Sequence, residues 1–302
     1  MDNTLSIGTE LCLRTYRIEQ VLDIGDFDIT YSAFDTFSNE LVTVKEFYPR
    51  YYSPAYRDEN TGEIIIPSSN EKRSFGGLDY ERFAKAYQKG LEQFIEEGHI
   101  LTKLSHPNVL QVHAVFKERN TGYLVTELIK EKTLRKHLNS QPEKKLSVRE
   151  VEKLMGQLVA SLAALHKVNL YHLDLRPENI FLKSTGKLIL AEFGGVKQRF
   201  DRSWEPGVTR VSYVNPYIPF EFTIWGQHIG SESDIFGLGV ILYEMLTGNV
   251  PEPSLSRVAR GGDWNPKDLE EPWFSLVTSA LEINSEKRPK SVKEWWLMKD
   301  SI

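Results

Sequence analysis

The sequence predicts an α+β fold in which the first half of the chain is mostly strand and the second half is mostly helix. From Tyr16 to Leu128 short segments alternate apolar and polar residues, as a half-buried strand does. After Thr133 the apolar residues recur every three or four positions, as on the buried side of a helix. With 302 residues, 40% of them hydrophobic, the chain can form one large globular domain or two lobes.

The predicted elements of the first half are four strands and one long helix. Alternation marks strands at Arg17–Leu22, Leu41–Phe47, Val109–Phe116 and Tyr123–Leu128. The helix runs from about Asp79 to Lys103, and its apolar stripe should pack on the sheet; the stripe consists of Phe83, Tyr87, Leu91, Phe94, Ile95, Gly98 and Leu101. The segment from about Tyr48 to Gly77 has no clear period and contains a hairpin-like sequence, DENTGEIII, so we interpret it as an insertion before the helix.

Two helices stand out in the second half. The first has a stripe of apolar residues from Val151 to Leu165. The second, in the sequence SDIFGLGVILYEMLTG, is apolar nearly all round, begins at serines that can cap it and ends at Gly248. That pattern predicts a buried central helix.

Composition excludes several classes of protein. The net charge of −5 argues against a nucleic-acid-binding surface. A single cysteine, Cys12, cannot form an internal disulfide and fits a reducing compartment. The N-terminus lacks the basic start and apolar run of a signal peptide, and the longest apolar stretch, Ile235–Tyr243, is far short of the ~20 residues that cross a bilayer. We therefore expect a cytoplasmic protein with no membrane segment in this chain.

The most informative motif is the sequence HLDLRPEN at His172–Asn179, which is followed thirteen residues after Asn179 by Glu192-Phe193-Gly194. The pair resembles the catalytic loop H-R-D-L-K-P-x-N and the D-F-G motif of the protein kinase family. Small-molecule phosphotransferases also use a His-x-Asp loop. The expected pairing of Glu221 with Arg288, which stand at the spacing of the family, and Asp234 at the start of the central helix favour the protein kinase architecture.

The resemblance extends from about Thr9 to Trp296. Val42–Lys45 is similar to V-A-I-K, and Tyr217–Glu221 is similar to the end of an activation segment. The sequence around these motifs most resembles a bacterial branch of Ser/Thr kinases that has an insertion before the long helix. The resemblance implies a two-lobed protein kinase-like fold, with an N-lobe at 9–128 (antiparallel sheet plus long helix, insertion at about 48–77) and a helical C-lobe at 129–302.

The resemblance also implies a set of site residues. Asp174 would be the catalytic base, with Lys45 and Arg176 holding phosphate charge. Asn179 and Glu192 would bind Mg²⁺ or Mn²⁺. Further residues would bind ATP or orient the lysine that binds its phosphates; they are Gly25, Thr43, Lys45, Glu97, Glu127, Ile129 and Phe181. Strand alternation independently places Thr43 and Lys45 on one face. The alternatives are a solvated strand lysine at 45 and a structural loop aspartate at 174.

Several motif positions depart from the family pattern. The glycine-rich loop is here Leu22–Asp28 and retains only Gly25, with Asp23 and Asp28 in place of two glycines. At about 5 Å and an effective dielectric near 20, each carboxylate would oppose each unit of phosphate charge by roughly 3 kcal/mol. The alternative is that these aspartates make a turn and point away from the ligand.

Further departures affect the metal site and its surroundings. Glu192 replaces the metal-binding aspartate and is longer by one methylene, which Mg²⁺ tolerates poorly. Thr43, Leu173 and Val214 replace the alanine, arginine and threonine of the family pattern.

Two hypotheses follow. The first is a catalytically impaired pseudokinase that acts as a signalling or scaffolding module, has a protein partner and possesses no cofactor or only weak ATP binding. The second is an atypical active Ser/Thr kinase. In the first, the tyrosines of the insertion, at 48, 51, 52 and 56, would form the partner surface, unless the insertion is simply packed on the fold.

Overall fold

The computed structural model describes residues 3–50, 55–67, 80–192, 215–224, 226–262, 264–266 and 268–301. The chain divides into two compact units. The first unit comprises Met1–Ser105 and Leu110–Lys130, and the second comprises His106–Val109 and Glu131–Ile302. Of the positions singled out above, Tyr51, Tyr52, Phe193, Gly194 and Val214 lie outside the described residues.

The first unit is built on a six-stranded antiparallel sheet with the order β1-β2-β3-β4-β8-β7. The strands are β1 (Glu10–Leu11), β2 (Tyr16–Ile24), β3 (Asp28–Asp35), β4 (Glu40–Phe47), β7 (Val112–Glu118) and β8 (Thr121–Glu127). The hairpin predicted within the insertion is present as β5 (Tyr56–Arg57) and β6 (Ile64–Ile65). Alternation along β4 buries Val42 and Val44 and leaves Thr43 and Lys45 half-buried.

The long helix of the first unit, α1 (Tyr80–Lys103), packs on β7 and β8 as its apolar stripe predicted. Phe83 and Tyr87 are buried on that side. Gly98 allows a close approach to the sheet, because a Cβ at this position would lie 2.5 Å from Cδ2 of Leu124 and 2.8 Å from Cγ2 of Val115. Such distances are too short for real carbon atoms, so the helix can sit this near the sheet only with glycine there.

The insertion hairpin is anchored by a buried charge pair. Nη2 of Arg57 donates to Oε2 of Glu46 at 2.6 Å, and the two side chains are only 6% and 0% exposed. Nε and Nη1 of Arg57 donate to the carbonyl oxygens of Asn3 and Gly62. The described part of the insertion is therefore packed on the fold.

The expectation that the tyrosines of the insertion form a partner surface is wrong for Tyr48. Its side chain is 2% exposed, and its hydroxyl donates to the carbonyl oxygen of Ala55 at 3.0 Å. Tyr56 is half-buried on β5. Tyr48 follows directly on the buried end of β4, and burying an aromatic ring there is more favourable than presenting it to solvent.

The second unit is mostly helical. Its helices are α2 (Leu134–Asn139), α3 (Val148–Lys167), α4 (Ser231–Thr247), α5 (Ser254–Ala259), α6 (Trp273–Ala280) and α7 (Val292–Leu297). A three-stranded antiparallel sheet has the order β11-β10-β9, with strands β9 (Lys132–Thr133), β10 (Ile180–Leu182) and β11 (Leu188–Leu190).

The predicted buried central helix is α4. It packs against α3, α6 and α7, and its residues from Ser233 to Met245 are all buried. It ends at Gly248, whose φ of 73° is a left-handed conformation that favours glycine. Within the described ranges, no helix combines the length and the apolar character needed to cross a bilayer.

Candidate active site

In the first unit, Lys45 lies on the same sheet face as the loop aspartate Asp28. The β3–β4 register pairs Thr30 with Lys45, and Asp28 is two residues before Thr30, so its side chain shares that face. Oδ2 of Asp28 is 3.4 Å from Nζ of Lys45. The lysine side chain is 17% exposed and the aspartate side chain 29%. The two groups thus form a half-buried ion pair.

The turn between β2 and β3 holds Asp28 in this position. The N–H of Gly25 donates to the carbonyl oxygen of Asp28 at 2.9 Å. A Cβ at position 25 would lie 3.3 Å from that oxygen and 3.4 Å from Oδ1 of Asp28, so a larger residue would press on the aspartate. Asp23, the other aspartate at a glycine position, is an exposed residue of β2 opposite Thr30. The two aspartates at glycine positions therefore differ: Asp28 is half-buried beside Lys45, and Asp23 is exposed.

Four further residues proposed for the nucleotide lie in the first unit. Glu97 is half-buried on α1, Glu127 is the half-buried last residue of β8, and Ile129 follows that strand. Thr43 is half-buried on β4, on the face that carries Lys45.

In the second unit, Asp234 fixes the backbone of the predicted catalytic loop. The side chain of Asp234, at the start of α4, is 1% exposed. Its Oδ2 accepts the N–H of His172 at 2.9 Å, and its Oδ1 accepts the N–H of Leu173 at 2.7 Å. Leu173 has a φ of 60°, a left-handed conformation that costs a non-glycine residue about 1–2 kcal/mol. The two charge-assisted bonds offset that cost and hold the loop.

The predicted base Asp174 is held by Asn179. Nδ2 of Asn179 donates to the carbonyl oxygen of Asp174 at 2.8 Å and to its Oδ2 at 3.0 Å. The N–H of Asp174 donates to Nδ1 of His172 at 3.3 Å, and Nε2 of that histidine lies 2.8 Å from the carbonyl oxygen of Ala191. In this pattern Nδ1 of His172 accepts a hydrogen bond and Nε2 donates one. His172 is fully buried, so it is a structural residue of the core.

Arg176 lies beside Asp174 without bonding to it. Its Nε is 3.9 Å from Oδ2 of Asp174, which is too long for a hydrogen bond, and its side chain is 41% exposed. The guanidinium group therefore contributes positive charge near Asp174 and leaves the carboxylate accessible.

Sequence reasoning missed Arg135 of α2, which connects the catalytic loop to α4. Its Nε donates to Oε1 of Glu178 at 2.8 Å, its other nitrogens donate to both carboxylate oxygens of Glu244, and Nη2 also donates to the hydroxyl of Tyr217. Burial alone would lower the pKa of Arg135, but the hydrogen bonds to Glu244 and Glu178 raise it above its ordinary value. An arginine on a short helix gives no sign in the sequence of such distant partners.

The residues proposed for metal binding offer hard oxygen ligands. Asn179 is 4% exposed, and the two hydrogen bonds of its Nδ2 leave Oδ1 available as a ligand. Glu192 is half-buried, with a φ of 61°. Over the described ranges, no group of three or more His, Cys, Asp or Glu residues is arranged to hold a metal ion. Amide and carboxylate oxygens are the type of ligand that Mg²⁺ and Mn²⁺ take, and such a cation would need its other ligands from a nucleotide and water.

The remaining predicted residues of the second unit have clear positions. Phe181, proposed for the nucleotide, is half-buried on β10 and pairs with Thr133 and Ile189. Glu221 and Arg288 form a buried pair, with distances of 2.7 Å from Nη1 to Oε1 and 2.9 Å from Nη2 to Oε2. Their sequence spacing predicted this contact.

Comparisons with known proteins identify the family. A family model described as "Protein kinase domain" matches residues 79–295, which is most of the chain. The chain therefore belongs to the protein kinase family, and its fold is the protein kinase fold that the motifs predicted.

Individual relatives agree with this assignment. The chain is 28% identical over 274 residues to sperm motility kinase Z of Mus musculus, covering 86% of this chain and 53% of that protein. It is 27% identical over 225 residues to probable serine/threonine-protein kinase PknB of Lactococcus lactis, covering 74% of this chain and 34% of that protein. The chain thus spans about a third to a half of the length of these curated relatives.

A solved structure titled "PpkA-294 apo form" has the same fold. It matches with a TM-score of 0.74 and 24% sequence identity, and the match covers 98% of this chain and 99% of that one.

Proposed function

We propose that this chain is a catalytically impaired protein kinase, a pseudokinase that works as a signalling or scaffolding module in the cytoplasm. The observation that carries the proposal is the 3.4 Å contact between Oδ2 of Asp28 and Nζ of Lys45. In the family, the lysine of V-A-I-K binds nucleotide phosphates and the loop position of Asp28 is a glycine. A carboxylate of this chain thus lies beside the cation that would bind the ligand.

Electrostatics makes this contact unfavourable for ATP. At 3.4 Å and an effective dielectric near 20, the attraction between the two charges is about 5 kcal/mol before desolvation. A phosphate that replaces Asp28 beside Lys45 gains a similar attraction to the lysine. The ion pair between Asp28 and Lys45 must first be broken, however, and that costs free energy. A phosphate that binds beside Asp28 is repelled by its carboxylate. Either route weakens triphosphate binding.

Other site residues support the same conclusion. Glu192 replaces the aspartate of D-F-G, and a longer carboxylate side chain suits the strict octahedral geometry of Mg²⁺ poorly. Thr43 places a polar β-branched side chain where the family has alanine beside the adenine. In contrast, the buried pairs Glu46–Arg57 and Glu221–Arg288 are intact. A module with a maintained fold and an altered nucleotide site suits binding of a protein partner.

The second candidate is an active Ser/Thr protein kinase, and it is favoured by the catalytic loop. Asn179 and Asp234 hold Asp174 and its backbone in a defined position, and Arg176 supplies charge beside it. In this case the bond between the γ-phosphorus of ATP and its bridging oxygen breaks, a bond to a Ser or Thr oxygen forms, and the hydroxyl proton passes to Asp174. A bound Mg²⁺ or Mn²⁺ would neutralise phosphate charge at Asn179 and Glu192.

Nucleotide binding to the wild type and a set of variants separates the two candidates. Thermal unfolding is followed with and without millimolar ATP and either Mg²⁺ or Mn²⁺ for the wild type, Asp28→Asn, Asp23→Asn and Lys45→Met. Asp28→Asn keeps the shape and removes the charge, and Asp23→Asn removes an equal charge from an exposed position on β2. We expect no ATP-dependent shift in the wild type and a clear one in Asp28→Asn. A ligand at 100 times its Kd adds about 2.7 kcal/mol of stability.

The controls define the outcomes. Asp23→Asn should respond to ATP much less than Asp28→Asn, because Asp23 is the exposed one of the two aspartates. Adding Lys45→Met to Asp28→Asn should abolish the shift. A metal-dependent shift in the wild type that is lost in Lys45→Met would contradict impairment of the nucleotide site and favour the active kinase.

A further inference from the structure

A groove of about 740 Å³ lies in the first unit, between the two edge strands of the six-stranded sheet. One wall includes Glu10 of β1 and the turn Cys12–Arg14 that follows it, and the other is formed by Phe116–Arg119 at the end of β7. The N–H of Cys12 donates to Oε2 of Glu118 at 2.7 Å and so joins the two walls. Because both walls belong to one sheet and are bonded to each other, the groove has a defined shape.

An apolar side chain projects from the rim of this groove. Leu13 is 100% exposed, at the middle of a turn whose three residues, Cys12–Arg14, have φ values of 52°, 53° and 69°. This left-handed conformation is unfavourable for residues that carry a Cβ. The bond from Cys12 to Glu118 maintains it, as does a bond from Oγ1 of Thr36 to the carbonyl oxygen of Arg14 at 3.2 Å. The turn therefore presents Leu13 to solvent in a defined position.

Both walls of the groove carry charges of both signs. On the first wall, Nε of Arg14 is 3.1 Å from Oε2 of Glu10, and the two side chains are 83% and 45% exposed. On the second wall, Glu118 and Arg119 are partly exposed. Lys117 is exposed and forms no ion pair with any residue that the structure describes. Lys117 thus lacks a carboxylate that another molecule can supply.

This patch meets the requirement for association about a two-fold axis. In a two-fold dimer the same patch occurs on both subunits, so a projecting group and the recess that receives it must lie side by side on one molecule. Leu13 is the projecting group, and the groove beside it, which contains the half-buried ring of Phe116, is the recess. Glu10 and Lys117 lie on opposite walls, so each can face the other's counterpart across the axis.

We propose that the groove is the interface of a two-fold dimer of this chain, in which Leu13 of each copy enters the groove of the other and contacts Phe116. Two reciprocal ion pairs between Glu10 and Lys117 set the orientation. A second copy suits the patch better than an unrelated protein, because one surface provides the inserting group, the recess and both members of the ion pair. The proposal goes beyond the nucleotide site and holds whether or not Lys45 binds ATP.

Sedimentation velocity of the whole chain, from micromolar to submillimolar concentration, tests the apolar contact. We expect the wild type to dimerise reversibly and Leu13→Asn to raise the Kd by at least about tenfold, because the contact with Phe116 is lost. Asparagine adopts the left-handed conformation readily, so the turn should be retained. The matched control is Leu297→Asn, which changes an exposed leucine of the second unit and should leave the Kd unchanged.

A charge exchange tests the ion pairs and the two-fold symmetry together. Lys117→Glu and Glu10→Lys each place like charges opposite each other at both ion pairs, so each should weaken self-association by at least about tenfold. An equimolar mixture of the two variants should dimerise at concentrations where each alone is monomeric. In the mixed dimer the two introduced residues face each other, and the unchanged Glu10 faces the unchanged Lys117. Because both changes are at exposed positions, this test remains decisive if Leu13→Asn does not fold.

Three results would overturn the proposal. The first is a wild type that stays monomeric over the whole concentration range, which would leave the groove to a different partner. The second is an equal Kd for the wild type and Leu13→Asn, which would place any dimer interface elsewhere. The third is a mixture of the charge variants that associates no more than its components, which would exclude the pairing of Glu10 with Lys117.

Discussion

Glu46 and Arg57 form a buried ion pair, with Oε2 and Nη2 separated by 2.6 Å. The same carboxylate accepts the hydroxyls of Tyr31 and Tyr123, each at 2.8 Å. One buried charge on β4 therefore links β3, β8 and the insertion hairpin. The contacts of Glu46 and Arg57 lie inside the first unit. We therefore expect this pair to be the main interaction that holds the insertion hairpin on the sheet.

Replacing Arg57 should destabilise the first unit strongly. Arg57→Met leaves the carboxylate of Glu46 buried without its cation, and breaking a buried pair in this way costs about 3–5 kcal/mol. Urea unfolding measures the loss. The double variant Glu46→Gln/Arg57→Met should lose less, because no unpaired charge remains.

The matched control is Lys85→Met, which removes an exposed ion pair with Glu81 on α1. It should change the free energy of unfolding by less than about 1 kcal/mol. Equal losses in Arg57→Met and Lys85→Met would show that the buried pair is not a main source of stability.

Alkaline pH should destabilise the fold through Tyr48. Burial raises the pKa of Tyr48 from 10.0 to about 12. The folded state therefore keeps the phenol proton between pH 10 and 12, whereas the unfolded state loses it near pH 10. The stabilisation is complete below pH 10 and is lost as the pH rises through 12.

Tyr48→Phe isolates this contribution. At neutral pH the variant should lose about 1 kcal/mol with the hydrogen bond to Ala55. Between pH 9 and 12 its free energy of unfolding should fall less than that of the wild type, by up to about 3 kcal/mol for a shift of two pKa units. Unfolding in urea at several pH values gives both numbers. Parallel pH profiles for the two proteins would be inconsistent with a raised pKa at Tyr48.

Much of the fold could be predicted because it depends on local periodicity. The stripe from Phe83 to Leu101 needs only a 3.6-residue period to define α1, and the apolar sequence ending at Gly248 defines α4. The Glu221–Arg288 contact was also predictable. That prediction came from the resemblance to the protein kinase family, in which two residues at this spacing pair, and not from periodicity.

The contacts that were missed depend on which elements come together. Glu46 shares a strand face with Val42 and Val44, and a glutamate on that apolar face was a sign of a buried partner. The identity of the partner, Arg57, depends on how the hairpin folds back over the sheet, which alternation does not encode. The Asp28–Lys45 contact similarly requires the β3–β4 register. Register and hairpin packing are tertiary properties, so the sequence pattern alone did not specify them.

Asp234 should control the order of the catalytic loop. In the wild type the two carboxylate oxygens of Asp234 accept the backbone N–H groups of His172 and Leu173. Asp234→Asn keeps one of these acceptor oxygens and replaces the other with an NH₂ group, which faces a backbone N–H group. Losing a charge-assisted bond and creating a donor–donor contact should cost about 2–4 kcal/mol. Hydrogen exchange of these two amides, followed by mass spectrometry, should become faster in the variant.

The control for this variant is Glu232→Gln, a change in the same turn of α4 that touches neither amide. It removes the partner of Lys290 and should leave exchange at 172 and 173 as in the wild type. Unchanged protection of both amides in Asp234→Asn would refute the role assigned to the carboxylate.

Phosphotransfer, where it occurs, should depend on Asp174. We expect Asp28→Gly to transfer phosphate faster than the wild type, because it restores the family's glycine and removes the carboxylate beside Lys45. On that background, Asp174→Asn should reduce autophosphorylation from labelled ATP by at least about 100-fold, since general base catalysis contributes about 10²–10⁴. The asparagine oxygen can still accept from Asn179, so the midpoint of thermal unfolding should be nearly unchanged.

Arg176→Lys is the matched variant, because it keeps a positive charge beside Asp174 and changes only its shape. It should reduce transfer much less than Asp174→Asn. Transfer at the same rate in Asp28→Gly and Asp28→Gly/Asp174→Asn would exclude Asp174 as the base. Absence of transfer in Asp28→Gly despite tight ATP binding would place the remaining defect at the metal site, where Glu192→Asp is the change that should restore it.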